Sequence, residues 1–236
     1  MKRQSAPLVD PIALGANPFF SGLLQDELEK VAPLISVNTF ERGQLIIHYG
    51  EPAEELFFVQ KGLVRVYRLN ESGTQVVLAL LNRGDFFGEM GLFTDSVRTA
   101  WIEAVTKVKA YRMHKNDFRN LLLTSPGLCW RMLSVLSQRL AKMDEQMESF
   151  VCLSVEERLL GALFSLAKEL GQNDGDGWML PSYLTHELLA ELIGTSRETV
   201  TRALGRLEKK GQLSRDENTI KVHAPADRLD PPPFGE

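Results

Sequence analysis

The sequence predicts an α+β protein: an N-terminal antiparallel β-roll, or jelly roll, then a long helix, then a C-terminal winged helix-turn-helix. Three observations carry this. Between Val37 and Met113 the hydrophobic period is two, and glycines recur at strand-plus-turn spacing at Gly43, Gly50, Gly62, Gly73 and Gly84. From Cys129 to Phe150 apolar residues step alternately by four and three. After Thr185 the pattern runs helix, glycine turn, helix, then strand, turn and strand.

The elements follow in order. Residues 1–17 show no periodicity and read as a loose arm. Pro18 to Leu34 reads as a helix with Leu24, Leu28 and Val31 on one face. The strand region is typified by Gly62-Leu63-Val64-Arg65-Val66-Tyr67-Arg68, which alternates apolar with polar and ends in the turn signal Asn70-Glu71-Ser72-Gly73. Asn116 to Leu123 reads as a short helix closed by Ser125-Pro126-Gly127. The long helix carries Cys129, Leu133, Leu136, Leu140, Met143, Met147 and Phe150, a heptad seam. Such a stripe is narrower than a globular helix usually buries, which points to a two-stranded coiled-coil dimer; packing on its own domain is the other reading. Ser154-Val155-Glu156-Glu157 is a capping box that opens a fresh helix ending near Gly171, so a hinge falls at Val151–Ser154. Gln172 to Gly177 reads as a loop. The tail, with Asp230-Pro231-Pro232-Pro233, continues neither helix nor central strand. The expected domains are an arm at 1–17, a β-roll at 18–126, a dimerisation helix and hinge at 127–153, a winged helix-turn-helix at 154–224 and a disordered tail at 225–236.

Composition narrows the function. A chain of 236 residues with 44% apolar and 25% charged residues suits one large or two small globular domains. No apolar run reaches membrane-spanning length and no signal peptide is read at the N-terminus, so a cytoplasmic protein without a membrane partner is expected. Cys129 and Cys152 give no disulfide framework and are too few for a Cys-ligated iron–sulfur cluster. His48, His114, His186 and His223 show no metal spacing, and no nucleophile–base pair stands out, so no metal and no enzyme are expected. The net charge of −4 argues against a wholly electrostatic nucleic-acid binder. Charge is local, however: Arg197–Arg215 holds six basic and two acidic residues within an acidic C-terminal region. Arg197, Glu198 and Arg202 stand near the start of the second helix. Arginine clamps guanine O6 and N7, and a carboxylate accepts from cytosine N4. Thr195-x-x-Glu198 also matches a capping box, so Glu198 reads either as a base contact or as a cap.

The stretch TSRETVTRALGRLEKKGQL, Thr195–Leu213, resembles the recognition helix of the CRP/FNR family of bacterial transcription regulators, and the similarity runs from Pro18 to Val222. The resemblance implies that Arg197, Glu198 and Arg202 read bases of a palindromic half-site of the TGTGA type in double-stranded DNA. It implies that Thr185 and Ser196 touch phosphate. Lys209, in the basic second helix, is expected to contact DNA without regard to sequence. The heptad seam makes a homodimer the expectation, through Leu133, Leu136, Leu140, Met143, Met147 and Phe150, with RNA polymerase as a further expected partner.

GDFFGEMGLFTDSVRTAW, Gly84–Trp101, breaks the strand pattern with three glycines, the acid Glu89 and the Arg98-Thr99 pair. A cyclic nucleotide phosphate needs close backbone N–H donors, which glycine permits, and an arginine; a ribose hydroxyl needs an acceptor. Taken alone, Glu89 and Arg98 read equally as a loop-closing salt bridge. The loop resembles the family's phosphate-binding cassette at Gly88, Glu89, Arg98 and Thr99, which implies a bound cyclic mononucleotide, with Met90 as a backbone contact. In cAMP-responsive relatives the dimer helix presents Thr-Ser to the adenine. The aligned residues here are Met143 and Asp144. A thioether cannot replace the threonine hydroxyl, whereas a carboxylate accepts both N1–H and N2–H of guanine. cAMP and cGMP therefore stay level, with cyclic di-GMP third. An FNR-type sensor of redox state, gas or haem is the rival within the family; a nucleotide-regulated adaptor or enzyme is the rival outside it.

Overall fold

The computed structural model describes residues 9–93, 97–216 and 219–223. The chain divides into two compact units, Met1–Leu140 and Ala141–Glu236.

The first unit holds two four-stranded antiparallel sheets. One has the order β1-β8-β3-β6, from β1 (Ile35–Phe40), β8 (Val108–His114), β3 (Glu55–Lys61) and β6 (Phe86–Phe87). The other has the order β2-β7-β4-β5, from β2 (Leu45–Ile47), β7 (Trp101–Ala104), β4 (Val64–Leu69) and β5 (Gln75–Leu81). The first sheet is the middle layer. Along β3, Phe57 and Val59 face the second sheet, while Leu56 and Phe58 face the helices. A strand buried on both faces must be apolar throughout, and Leu56-Phe57-Phe58-Val59 is. On the second sheet Val64, Ile102 and Ala104 point into the core between the sheets, while Arg65 and Glu103 pair on the other face at 3.0 Å.

The helix side of the middle sheet is closed by aromatic rings. Phe19, Phe20, Phe58, Phe86 and Phe118 meet at centroid distances of 4.7–6.4 Å. They pack with Leu128 and Met132 from α5 (Pro126–Cys152). Each such ring contributes roughly 1.5–3 kcal/mol by leaving water. β6 splits its two phenylalanines, Phe86 toward the helices and Phe87 onto Phe57 between the sheets. That anchors the chain immediately before the glycine-rich loop.

The second unit is built on α6 (Val155–Leu170), α7 (His186–Ile193) and α8 (Arg197–Lys209), with a sheet ordered β11-β12-β10-β9. The sheet comprises β9 (Gln172–Asn173), β10 (Trp178–Leu180), β11 (Leu213–Asp216) and β12 (Thr219–Val222). Leu159, Leu163, Leu189, Val200, Leu204 and Val222 fill its core. Ser154 caps α6 in a reciprocal box with Glu157, as the sequence predicts.

Several expectations need correction. The arm is not loose from residue 9 onward: α1 (Pro11–Gly15) is capped by Asp10, and Leu14 and Asn17 are fully buried. Five residues with one buried leucine are too few to show a period. Pro18–Leu34 is not one helix; α2 spans Gln25–Val31 and a 3₁₀ turn follows at Ala32–Leu34. Leu24 is the N-cap and is 69% exposed rather than inward. Gln172–Gly177 is not wholly a loop, because Gln172 and Asn173 pair with β10. Residues 1–8 of the arm and the tail 225–236 lie outside the described residues. Among the described residues no helix is long and apolar enough to cross a membrane.

Candidate functional site

The glycine-rich loop follows β6. Gly88 has φ +88°, in the left-handed region, and a Cβ there would stand 2.6 Å from the Arg98 guanidinium. Only glycine serves both conditions. α3 (Met90–Phe93) follows. Arg98 is 93% buried, since 7% of it is exposed. Its backbone is fixed by Arg98 N to Glu51 O at 2.8 Å and Gly50 N to Arg98 O at 2.9 Å. Its side chain donates from Nη1 to Gly88 O at 2.9 Å and from Nη2 to Glu55 O at 2.6 Å.

Those acceptors are neutral carbonyls. Among the described residues no carboxylate lies in ion-pair range of Arg98. The nearby acids pair elsewhere: Glu55 with Arg112 at 3.3 Å, Glu54 with Lys115 at 2.8 Å, and Glu89 with Arg139 at 3.0 Å. Burial draws the Arg98 pKa down, and Glu55, Glu51, Glu89 and Glu54 oppose that at longer range. The Glu89–Arg98 salt bridge weighed from sequence is thus not formed. Thr99 is exposed, and its hydroxyl lies 3.5 Å from the Met90 sulfur.

Arg139 was missed by sequence reasoning. It projects from α5 onto the loop, meets the carboxylate of Glu89, donates to Phe86 O, and lies 4.4 Å from the Phe86 ring centroid. A signal existed. Leu128, Met132, Val135 and Arg139 step by four, three and four, and the first three pack on the aromatic core. A cation on a buried stripe requires an anionic or carbonyl partner. The sequence reading followed the other stripe of the same helix. On that stripe Leu133, Leu140, Met143 and Met147 are 54–67% exposed. Leu136 is half-buried against its own core, and Phe150 packs on Gly194 within the second unit. Met143 and Asp144 are exposed on α5. Cys129 and Cys152 are both free thiols.

In the second unit Thr185 caps α7 and Ser196 caps α8. Gly194 ends α7 with φ +67° and lies against the Phe150 ring, which sets the tight turn between the helices. The Thr195–Glu198 capping box is not formed, because Ser196 is the N-cap and bonds to Thr199 N. Glu198 bonds to its own backbone N–H and to the Ser196 hydroxyl, which holds its pKa below the usual range. Arg197, Glu198, Thr201 and Arg202 line a shallow concavity of about 360 Å³. Thr201 was not singled out from sequence.

The basic cluster is less free than its count suggests. Glu156 takes both Arg206 and Lys210, and Glu208 takes Arg215. Among the described residues, Arg197, Arg202 and Lys209 have no carboxylate partner. Groups of three or more His, Cys, Asp or Glu placed to hold a metal are absent among the described residues.

Residues 37–125 match the family model for the cyclic nucleotide-binding domain, and residues 157–227 match the Crp-like helix-turn-helix domain. The chain is 33% identical to the cAMP-activated global transcriptional regulator CRP of Salmonella typhimurium, over 79% of this chain and 89% of that protein. It is 34% identical to the global nitrogen regulator of a Nostoc species, over 80% and 86%. The fold is similar to that of the c-di-GMP-responsive global regulator CLP of Xanthomonas campestris, with a TM-score of 0.74 at 24% identity over 85% and 99% of the two chains. The chain belongs to the CRP/FNR family of DNA-binding transcription regulators.

Proposed function

We propose that this regulator is a cytoplasmic homodimer, acting with RNA polymerase, whose binding to palindromic DNA is gated by a cyclic nucleotide. One observation carries the gating: Arg98 is a buried cation whose side-chain partners among the described residues are carbonyl oxygens, beside a carboxylate that reaches the long helix. A buried charge without a counter-ion is costly, and an anion entering the loop relieves that cost.

In this reading the ligand phosphate takes the remaining N–H groups of Arg98, the Thr99 hydroxyl, and backbone N–H groups near Gly88 and Met90. The ribose hydroxyl donates to Glu89. Arg139 engages Oε1 of Glu89, which leaves Oε2 as the acceptor. Ligand contact at Glu89 is then felt at Arg139, on the helix whose exposed stripe forms the dimer seam. A ligand that binds one helix arrangement better than another shifts the population toward it. Arg197, Glu198 and Arg202 read bases, while Thr185, Ser196 and Lys209 meet phosphate. The two recognition helices engage half-sites about 34 Å apart.

The effector is cAMP by family likeness and cGMP by the chemistry of Asp144; cyclic di-GMP is third. Calorimetry with these three ligands on the wild type and Asp144→Ser separates them. If Asp144 accepts from guanine, the variant loses cGMP affinity relative to cAMP. An unchanged ratio returns cAMP to the lead, and no binding of any ligand overturns the gating. Leu140→Asp tests the seam: a monomer in sedimentation is expected, with palindrome affinity down by about a hundredfold as linked half-sites are lost. A variant that stays dimeric removes Leu140 from the interface.

A further inference from the structure

The functional reading leaves His186 unused. It is the first residue of α7, directly after the capping Thr185, and its ring is partly exposed. Nδ1 lies 2.9 Å from the hydroxyl oxygen of Thr201, a residue lining the concavity on α8. That hydroxyl donates its single hydrogen to Arg197 O at 3.0 Å. Thr201 therefore accepts from the ring, and Nδ1 carries a hydrogen. In the neutral imidazole the other nitrogen, Nε2, is then a bare acceptor. In the imidazolium it is a donor.

We propose that His186 is a proton-linked contact to a DNA phosphate, so that each protomer takes up a proton at this ring when it docks. This rests on the DNA-binding reading of α7 and α8. A phosphate oxygen only accepts, so it finds no donor at the bare Nε2 of a neutral His186, whereas the imidazolium donates to it. Thr201 fixes that tautomer and holds the ring at the edge of the surface that carries Arg197 and Arg202. Among the described residues, the charged groups acting on His186 are Arg215 from β11 and Arg197 from α8, with Glu208 sharing the charge of Arg215; Glu187 is the next residue on α7. In the free protein, burial lowers the ring's pKa, and Arg215 and Arg197 act in the same direction. All three influences favour the neutral ring in the free protein, and a nearby phosphate reverses the sign of its surroundings.

The direction follows from linkage. DNA raises the ring's pKa above its free value. The contact contributes fully below the free pKa and is lost as pH rises through the bound pKa. DNA affinity therefore rises on acidification through that window.

The test uses the full chain and two duplexes, one with inverted TGTGA half-sites and one of mixed sequence at low salt. A phosphate contact is indifferent to sequence, so both report it. Calorimetry in buffers of different ionisation enthalpy gives the protons taken up on binding. Affinity is compared at about pH 6 and about pH 8. Wild type is expected to take up a fraction of a proton per protomer and to bind several-fold tighter at the lower pH. His186→Asn keeps an N–H for Thr201 and is expected to bind with neither effect. His186→Arg, a permanent cation, is expected to stay tight at both values. The proposal is overturned if wild type binds DNA without proton uptake, or if His186→Asn retains the wild-type pH profile. If wild type binds neither duplex, the DNA-binding reading fails first and this one falls with it.

Discussion

The loop at Gly84–Trp101 and the recognition helix α8 each rely on arginine, but they prepare it in opposite ways. Arg98 is 7% exposed and fixed through its backbone and both terminal nitrogens. Arg197 and Arg202 are exposed on α8, with Arg202 donating to the Thr199 hydroxyl at 3.2 Å. A buried, immobile cation gives a small anion one geometry at low ordering cost. Exposed arginines remain adjustable, as a docking surface for a long, deformable duplex requires. Charge count does not distinguish these designs. The three basic residues of Arg197–Arg215 that already pair with Glu156 or Glu208 add little to a phosphate footprint.

The comparison breaks most readily at Arg98. Arg98→Ala removes the buried cation together with its hydrogen bonds to the carbonyls of Gly88 and Glu55. Nucleotide affinity should fall more than tenfold, about 1.5–3 kcal/mol for charge-assisted bonds. Calorimetry on a variant shown to be folded by circular dichroism is the check. Unchanged affinity would return Arg98 to a purely structural role.

On α8 the losses should divide by contact type. Arg202→Ala should relax discrimination at one guanine by about 1–3 kcal/mol. Lys209→Ala should weaken all sequences alike and flatten the salt dependence of binding by about one ion. Selection from a random duplex library, repeated at several salt concentrations, distinguishes the two. Identical profiles would contradict the assigned groove geometry.

The smallest effect is expected from releasing the committed cations. Glu156→Gln frees Arg206 and Lys210, and non-specific affinity at low salt should rise a few-fold, about 1 kcal/mol or less for exposed charges. Fluorescence anisotropy on a mixed-sequence duplex measures it. No change would mean that these cations do not approach the phosphates even when free.

The sequence made the larger architecture legible because period and punctuation are local. Gly62, Gly73 and Gly84 mark turns, all with positive φ, and Ser154 with Glu157 marks a helix start. It also brought Gly88, Glu89 and Arg98 together, since the three lie on one loop. What it could not show were partners distant in the chain. Glu89 and Arg98 read as a possible pair because they are near in sequence, yet Glu89 pairs with Arg139, fifty residues on. Glu156 neutralises Arg206 from fifty residues away in the same manner. Hydrophobic stripes compete too. On α5 the exposed stripe through Leu133 and Leu140 hid the inward stripe that ends at Arg139.

The coupling of these two sites is tested most directly by titrating the wild-type protein onto a palindromic duplex with and without saturating cAMP, cGMP or cyclic di-GMP. One of these ligands should tighten DNA binding at least fivefold, and the duplex should tighten that ligand by the same factor, because coupling is reciprocal. DNA affinity unchanged by every ligand, or a nucleotide affinity indifferent to DNA, would contradict cyclic-nucleotide gating.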